Sequence, residues 1–210
     1  MGLSGPVGLP AEYREASGNL ASPNNVEEAI NNAIGQGNVQ VTAVQMAFSV
    51  AAVANGGTLW QPFIVQRVGG ADGAPVTFEA QPSIVGELGL EAETMQIIHE
   101  GMCDVVSDQE RGTARSAFWN IPYTACGKTG TSQTSRIEPH AWFVVYAPAD
   151  NPQIAVVVVA EHSREGSEVA APIARRILDY YFGAPQAPWP DWWLEDYVEL
   201  ISPSGGTPGG

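Results

Sequence analysis

The 210 residues predict a mixed α/β (α+β) fold, an antiparallel sheet with the C-terminal helix packed across it. Three observations carry that expectation. Runs at 123–130, 141–147 and 154–161 have the length of strands, and the last two are dense in β-branched and aromatic residues. The last two are joined only by Pro148-Ala149-Asp150-Asn151-Pro152, a link short enough to make them an antiparallel pair. From Glu168 to Phe182 the chain then sets Val169, Ile173, Ile177 and Tyr180 or Tyr181 at helical spacing, an apolar face that the sheet can cover.

Composition bounds the function. A hydrophobic content of 44% suffices for a real core, and the length suits one domain with a tail: a domain over 1–183 and a Pro/Trp-rich then Gly-rich tail over 184–210. The net charge of -14, with nine basic residues in all, argues against nucleic acid as a partner, since binding a phosphate backbone needs clustered Lys and Arg. No apolar run approaches the roughly 20 residues of a membrane span. Met1 to Pro10 lacks the basic start and apolar stretch of a signal peptide. Cys103 and Cys126 match no metal-ligand spacing and read as small packing residues, with a disulfide between them open to an oxidising compartment. His99, His140 and His162 are too scattered to suggest a metal site, and no cofactor is implied.

Taken in order, Met1 to Asn25 is rich in Gly, Pro, Ser and Asn and reads as an extended lead-in. Val26 to Ala33 suits a short helix, followed by a tight loop at Ile34-Gly35-Gln36-Gly37-Asn38. A better helix begins at Thr42, a capping residue with Gln45 in capping-box spacing. Its apolar residues run nearly all the way round, which predicts a buried helix, and Asn55-Gly56-Gly57 ends it. Thr58 to Val68 reads as a strand, with Pro62 favouring an edge. Gly69 to Gly73 turns it toward Pro75-Val76-Thr77-Phe78 in a hairpin. Between Glu91 and Val106, Met95, Ile98, Met102 and Val105 share one face of a second helix lying on a core. Ser107 to Trp119 is polar, with a turn at Arg111-Gly112-Thr113-Ala114. Past Gly183, Pro185, Pro188 and Pro190 surround Trp189, Trp192 and Trp193, a cluster suited to docking on the domain or on a partner. The last nine residues read as disordered.

The chemistry concentrates in Cys126-Gly127-Lys128-Thr129-Gly130-Thr131. Lys128 is the only lysine in the chain. A phosphate-binding loop is excluded, because Pro122 stands where its first glycine belongs and a strand follows where it needs a helix. The other reading is a K-T-G motif on an edge strand of a serine acyl-transferase. In Gly127-Lys128-Thr129-Gly130-Thr131 the chain resembles the class B penicillin-binding proteins, members of the serine β-lactamase/transpeptidase superfamily. Further likeness lies in Ile34-Gly35-Gln36-Gly37, Gln45-Met46-Ala47, Ala54-Asn55-Gly56-Gly57, Gly112-Thr113-Ala114, His140-Ala141-Trp142-Phe143 and Tyr146-Ala147-Pro148, in that order, over about Gly5 to Phe182.

The resemblance implies the C-terminal part of a peptidoglycan D,D-transpeptidase domain, at the extracytoplasmic face of a bacterial cell envelope. Its ligand, a stem peptide or β-lactam, lies beside the K-T-G strand as an added strand. Thr129 and Thr131 would hold the ligand carboxylate, Lys128 would supply positive potential and order the hydroxyls, and Gly130 would allow close approach. The N–H of Thr131 would be half of the oxyanion hole. The family's nucleophile stands in S-x-x-K, which the single lysine rules out, since Ala125 occupies the serine's place before Lys128. Ser17-Gly18-Asn19 and Ser22-Pro23-Asn24 spell the second motif, S-x-N, but their place in the order argues against that role. The expectation is therefore a fragment inactive alone, whose partner is the missing N-terminal half of the domain, and which self-associates through its uncovered surface. The alternatives are a non-catalytic wall-peptide binding module and a complete enzyme using Ser17. His140 reads as a strand-start residue bonded to a neighbouring loop.

Overall fold

The computed structural model describes residues 16–19, 22–133, 138–190 and 193. The four expected helices and the three expected C-terminal strands are present in order, and the fold is the mixed helix and antiparallel-sheet arrangement. Helix α1 spans Val26–Ala33, capped by the Asn25 side chain, which accepts from Glu28 N at 2.9 Å. Helix α2 spans Ala43–Ala54 and starts in the capping box: Thr42 Oγ1 accepts from Gln45 N, and Gln45 Oε1 accepts from Thr42 N. Both bonds satisfy N–H groups that a helix start leaves without intrahelical partners.

The expected strand over Thr58–Val68 is broken in two. Strand β1 is Thr58–Trp60 and β2 is Arg67–Gly69, with Pro62 in the interruption, where a residue lacking an N–H cannot continue a ladder. β2 forms the anticipated hairpin with β3, Val76–Glu79, around Gly69 and Gly70, both in the left-handed region. A further strand, β4 at Ile84–Glu87, pairs antiparallel with β1; its Ile-Val-Gly-Glu stretch was too short to stand out in the sequence. Helix α3 is Ala92–Ser107.

Strands β5 (Cys126–Ser132), β6 (His140–Ala147) and β7 (Ile154–Ala160) form one antiparallel sheet in the order β5-β6-β7. The last helix, α4 (Ala170–Tyr181), packs on β6 and β7, while α2 and α3 pack on the opposite face. The α4 face holds the larger core: Phe143, Val145, Val156 and Val158 meet Ala170, Ala174 and Leu178, with Phe118 alongside Phe143. Because strand residues alternate, Val144 and Tyr146 point the other way, to Val50, Met46 and Met102.

Four expectations are corrected here. The buried face of α4 is only partly the expected one: Val169 and Ile173 pack on the core as anticipated, but further along Ala174, Arg175, Leu178 and Asp179 are buried while Ile177, Tyr180 and Tyr181 are exposed. The reason is an ion pair drawn inward, Arg175 Nε to both oxygens of Asp179 at 2.8 Å, with Tyr123 Oη and Ala187 N donating to the same carboxylate. Helix α2, expected to be covered all round, buries only Gln45, Val50 and Ala52, since among the described residues its packing partners are β1, β6, β7 and α3. Cys103 and Cys126 are not free packing residues but a disulfide joining α3 to β5. Between Ser107 and Trp119, Ala114 and Phe118 are core residues. Of the Trp cluster, Trp189 docks on its own domain, with the Arg176 guanidinium 3.9 Å over its ring, and stacks on Trp193, while Trp192 lies outside the described residues. Met1 to Glu15 and the last nine residues lie outside the described residues.

Candidate active site

β5 is the edge of its sheet, paired with β6 and, among the described residues, with no strand on its other side. Alternation sorts its side chains. Gly127, Thr129 and Thr131 stand opposite Val145, Phe143 and Ala141 on the α4 face, and Lys128 stands opposite Val144 on the face of α2 and α3. Two glycines permit this packing. A Cβ on Gly127 would lie 2.6 Å from Val144 O and 2.9 Å from the Phe143 ring, and a Cβ on Gly166 would collide with the carbonyls of Trp142 and Gly130.

The polar groups of the motif are exposed or half-buried and tied locally. Lys128 is exposed, and its Nζ donates to Thr129 O at 2.7 Å. The hydroxyls of Thr129 and Thr113 are 2.8 Å apart. Thr131 Oγ1 accepts from Gly166 N at 3.5 Å, which leaves the hydroxyl proton available to a carboxylate. At the far end of the strand the Gln36 carboxamide donates to Thr131 O at 2.9 Å and accepts from Gln133 N at 3.2 Å. These two main-chain groups point the same way, so Gln36 occupies ladder positions that a neighbouring strand would take. The disulfide anchors the start of the strand beneath Lys128.

Around the motif, Tyr146 Oη lies 2.7 Å from His99 Nδ1, and burial pushes the Tyr146 phenol up to about 12. Among the described residues, His99, Cys103 and Cys126 are the one group of metal-type side chains brought together, and the disulfide uses both sulfurs. His140 is bonded to a loop, its Nδ1 accepting from His162 N at 3.0 Å, as a strand-start residue would be. Ser17 is exposed, on the segment whose Asn19 pairs with Gln40. Asn24 of the second S-x-N string bonds Glu28 at the start of α1. Sequence reasoning located Lys128 to Thr131 but missed the roles of Gln36, Thr113 and Gly166. Gln36 and Thr113 lie in stretches already singled out, while Gly166, in a polar loop, carried no signal.

The family model for the penicillin binding protein transpeptidase domain matches residues 2–179. The peptidoglycan D,D-transpeptidase MrdA of Haemophilus influenzae is 31% identical over 170 residues, which cover 73% of this chain and 26% of that protein. Penicillin-binding protein 2B of Streptococcus pneumoniae superposes with a TM-score of 0.75 at 30% identity, over 87% of this chain and 31% of the other. Penicillin-binding protein A of Mycobacterium tuberculosis, solved as an imipenem acyl-enzyme complex, gives a TM-score of 0.71 at 25% identity, over 82% and 38%. This chain thus spans about a quarter of the length of the H. influenzae protein. The K-T-G edge strand, the flanking segments in their order and these likenesses agree: the chain belongs to the penicillin-binding protein transpeptidase family, among its class B members.

Proposed function

We propose that this chain forms the K-T-G wall of a peptidoglycan D,D-transpeptidase site and works only with a nucleophile supplied by residues outside it. The carrying observation is the strand edge at Lys128 to Thr131, open to an added strand and lined by two hydroxyls and an ammonium. A stem peptide or β-lactam lying along that edge is oriented by main-chain pairing. Its carboxylate is held by Thr129 and Thr131, and Lys128 leaves Thr129 O to supply positive charge. Gly130 lets the ligand backbone close in, and the Thr131 N–H serves as half of the oxyanion hole, worth roughly 3 kcal/mol in comparable sites. The acyl-enzyme of the M. tuberculosis relative supports a β-lactam as ligand.

The sole lysine leaves this chain no S-x-x-K serine and no lysine base for one. The uncovered apolar stripe of α1, with Val26, Ile30 and Ile34 exposed at 76%, 63% and 72%, supports a missing half of the domain as the partner. In its absence we expect self-association through this stripe, which a concentration-independent monomer in sedimentation would contradict. The transpeptidase domain is taken to end near 183, with 184–210 as a tail. The assembled protein is placed at the extracytoplasmic face of the cell envelope. Among the described residues no helix is long and apolar enough to cross a membrane.

Fluorescent penicillin followed by denaturing electrophoresis tests the reading. The 210-residue chain alone should give no covalent band, and a band should form when it is co-expressed with a transpeptidase segment carrying S-x-x-K and S-x-N. That band should be lost in Lys128→Ala. A band on the pure chain, or no dependence on Lys128, would sink the proposal.

A further inference from the structure

A cavity lies beside the K-T-G strand, not on it. It is a groove of about 1010 Å³ between the turn at 113–122, the start of α4 and the segment Pro185 to Pro190. Thr113 lines one end, and its hydroxyl touches that of Thr129, so the groove runs on from the candidate site. Its walls are held firmly. Arg175, buried and paired with Asp179, donates through Nη1 to the carbonyls of Ala117 and Trp119 at 3.2 and 3.1 Å. The opposite wall is tied to α4 by Ala187 N to Asp179, by Arg176 Nη1 to Ala187 O, and by Gln186 Nε2 to Arg176 O.

On this braced turn Trp119 is 66% exposed, an indole whose presentation the core does not require. Asn120, in the left-handed region at φ 55°, follows it. The exposed or half-buried polar side chains that line the groove are Thr113, Ser116, Asn120, Ser167 and Gln186, all neutral, with Glu168 the one exposed charge among them. An exposed aromatic side chain in a groove lined by hydroxyl and carboxamide groups suits a pyranose, whose C–H face packs on the ring while its hydroxyls and acetamido groups exchange hydrogen bonds. Charge points the same way: in a chain of net charge -14, with Glu168 in the groove, a neutral ligand is favoured over an anionic peptide.

We infer that this groove binds the glycan strand from which the stem peptide hangs, with Trp119 as the stacking platform and Thr113 at the junction between sugar and peptide sites. The inference rests on the transpeptidase reading above for its substrate class. The residues that line the groove belong to this chain, including Trp119 and Thr113, so the 210-residue protein should bind sugar unaided.

Calorimetric titration with a β-1,4-linked N-acetylglucosamine tetramer, alongside the Trp119 indole N–H resonance, tests it. Saturable binding is expected, with a shift of that resonance. Trp119→Ala should weaken binding at least tenfold, and Trp119→Phe, which keeps an aromatic face, should recover part of it. Because Trp119 is exposed, both variants should retain the parent circular dichroism spectrum and melting temperature. Lys128→Ala should leave sugar binding unchanged, so that a failure of the peptide site and a failure of the sugar site are read separately. The inference is overturned by no saturable sugar binding, by binding indifferent to Trp119→Ala, or by a sugar-free stem peptide or a proline-rich peptide shifting Trp119 in place of the saccharide.

Discussion

The two faces of the β5-β6-β7 sheet differ in how completely they are covered. On one, α4 closes over Phe143, Val145 and Val158 and even brings an ion pair inside. On the other, α2 and α3 cover Val144 and Tyr146, while α1 with its C-cap and the segment from β1 to β2 expose Val26, Ile30, Ile34, Phe63, Ile64 and Val68. Apolar residues are plentiful in both regions, so composition does not separate them. What separates them is whether a second layer is present to bury the first.

That contrast predicts where substitutions will be felt. The largest effect should come from Asp179→Ala, which leaves Arg175 buried without its counter-charge and should cost about 3–5 kcal/mol in chemical denaturation. A loss below about 1 kcal/mol would mean that the α4 face is looser than its packing suggests. Next, Gly166→Ala puts a Cβ into the carbonyls of Trp142 and Gly130 and should cost about 1–3 kcal/mol. It should also shift the amide resonances of β5. Removing the Gln36 clamp is expected to cost about 0.5–1.5 kcal/mol, and Gln36→Ala should speed hydrogen exchange at Gln133 N–H, which loses its partner.

A pH series sharpens the same comparison, because each face carries a tyrosine whose phenol is pushed above its ordinary value of 10.0. For Tyr123 the causes are burial and then the hydrogen bond to Asp179 and its charge; for Tyr146 the cause is burial. The folded protein keeps a proton that the unfolded chain releases near pH 10.0, so these contributions are fully present below that pH and decline above it. For Tyr146 the decline runs through about 12. Denaturation midpoints should therefore fall on the alkaline side, and Tyr123→Phe should flatten the fall. The smallest effect belongs to the open region, where Ile30→Ser should change the monomer's stability by no more than about 0.5 kcal/mol. A larger loss would show that α1 is already covered, and the contrast would fail.

Much of the architecture was legible because it rests on local rules. Thr42 and Gln45 specify a helix start, Gly69 to Gly73 a turn, and the link from Pro148 to Pro152 an antiparallel pair, each within a few residues of chain. The strand pattern at 141–147 and the Lys128 motif were legible for the same reason. Less was legible where the deciding contact is distant in sequence. Ile177 and Tyr180 look like core residues by spacing, but the Asp179 carboxylate finds Arg175, Tyr123 and Ala187, and the helix turns to bury them. Tiny β4 had too few residues to show a period.

The sequence by itself determined the order of elements, the antiparallel sheet, the family likeness and the absence of an S-x-x-K serine, all of which follow from short-range pattern and inventory. Only the tertiary structure decided that Cys103 joins Cys126, that Gln36 grips the strand edge 95 residues away, and that Thr113 and Trp119 carry a groove on from Thr129. Those facts depend on which distant surfaces meet, and many different residues at each place would have kept the same local pattern.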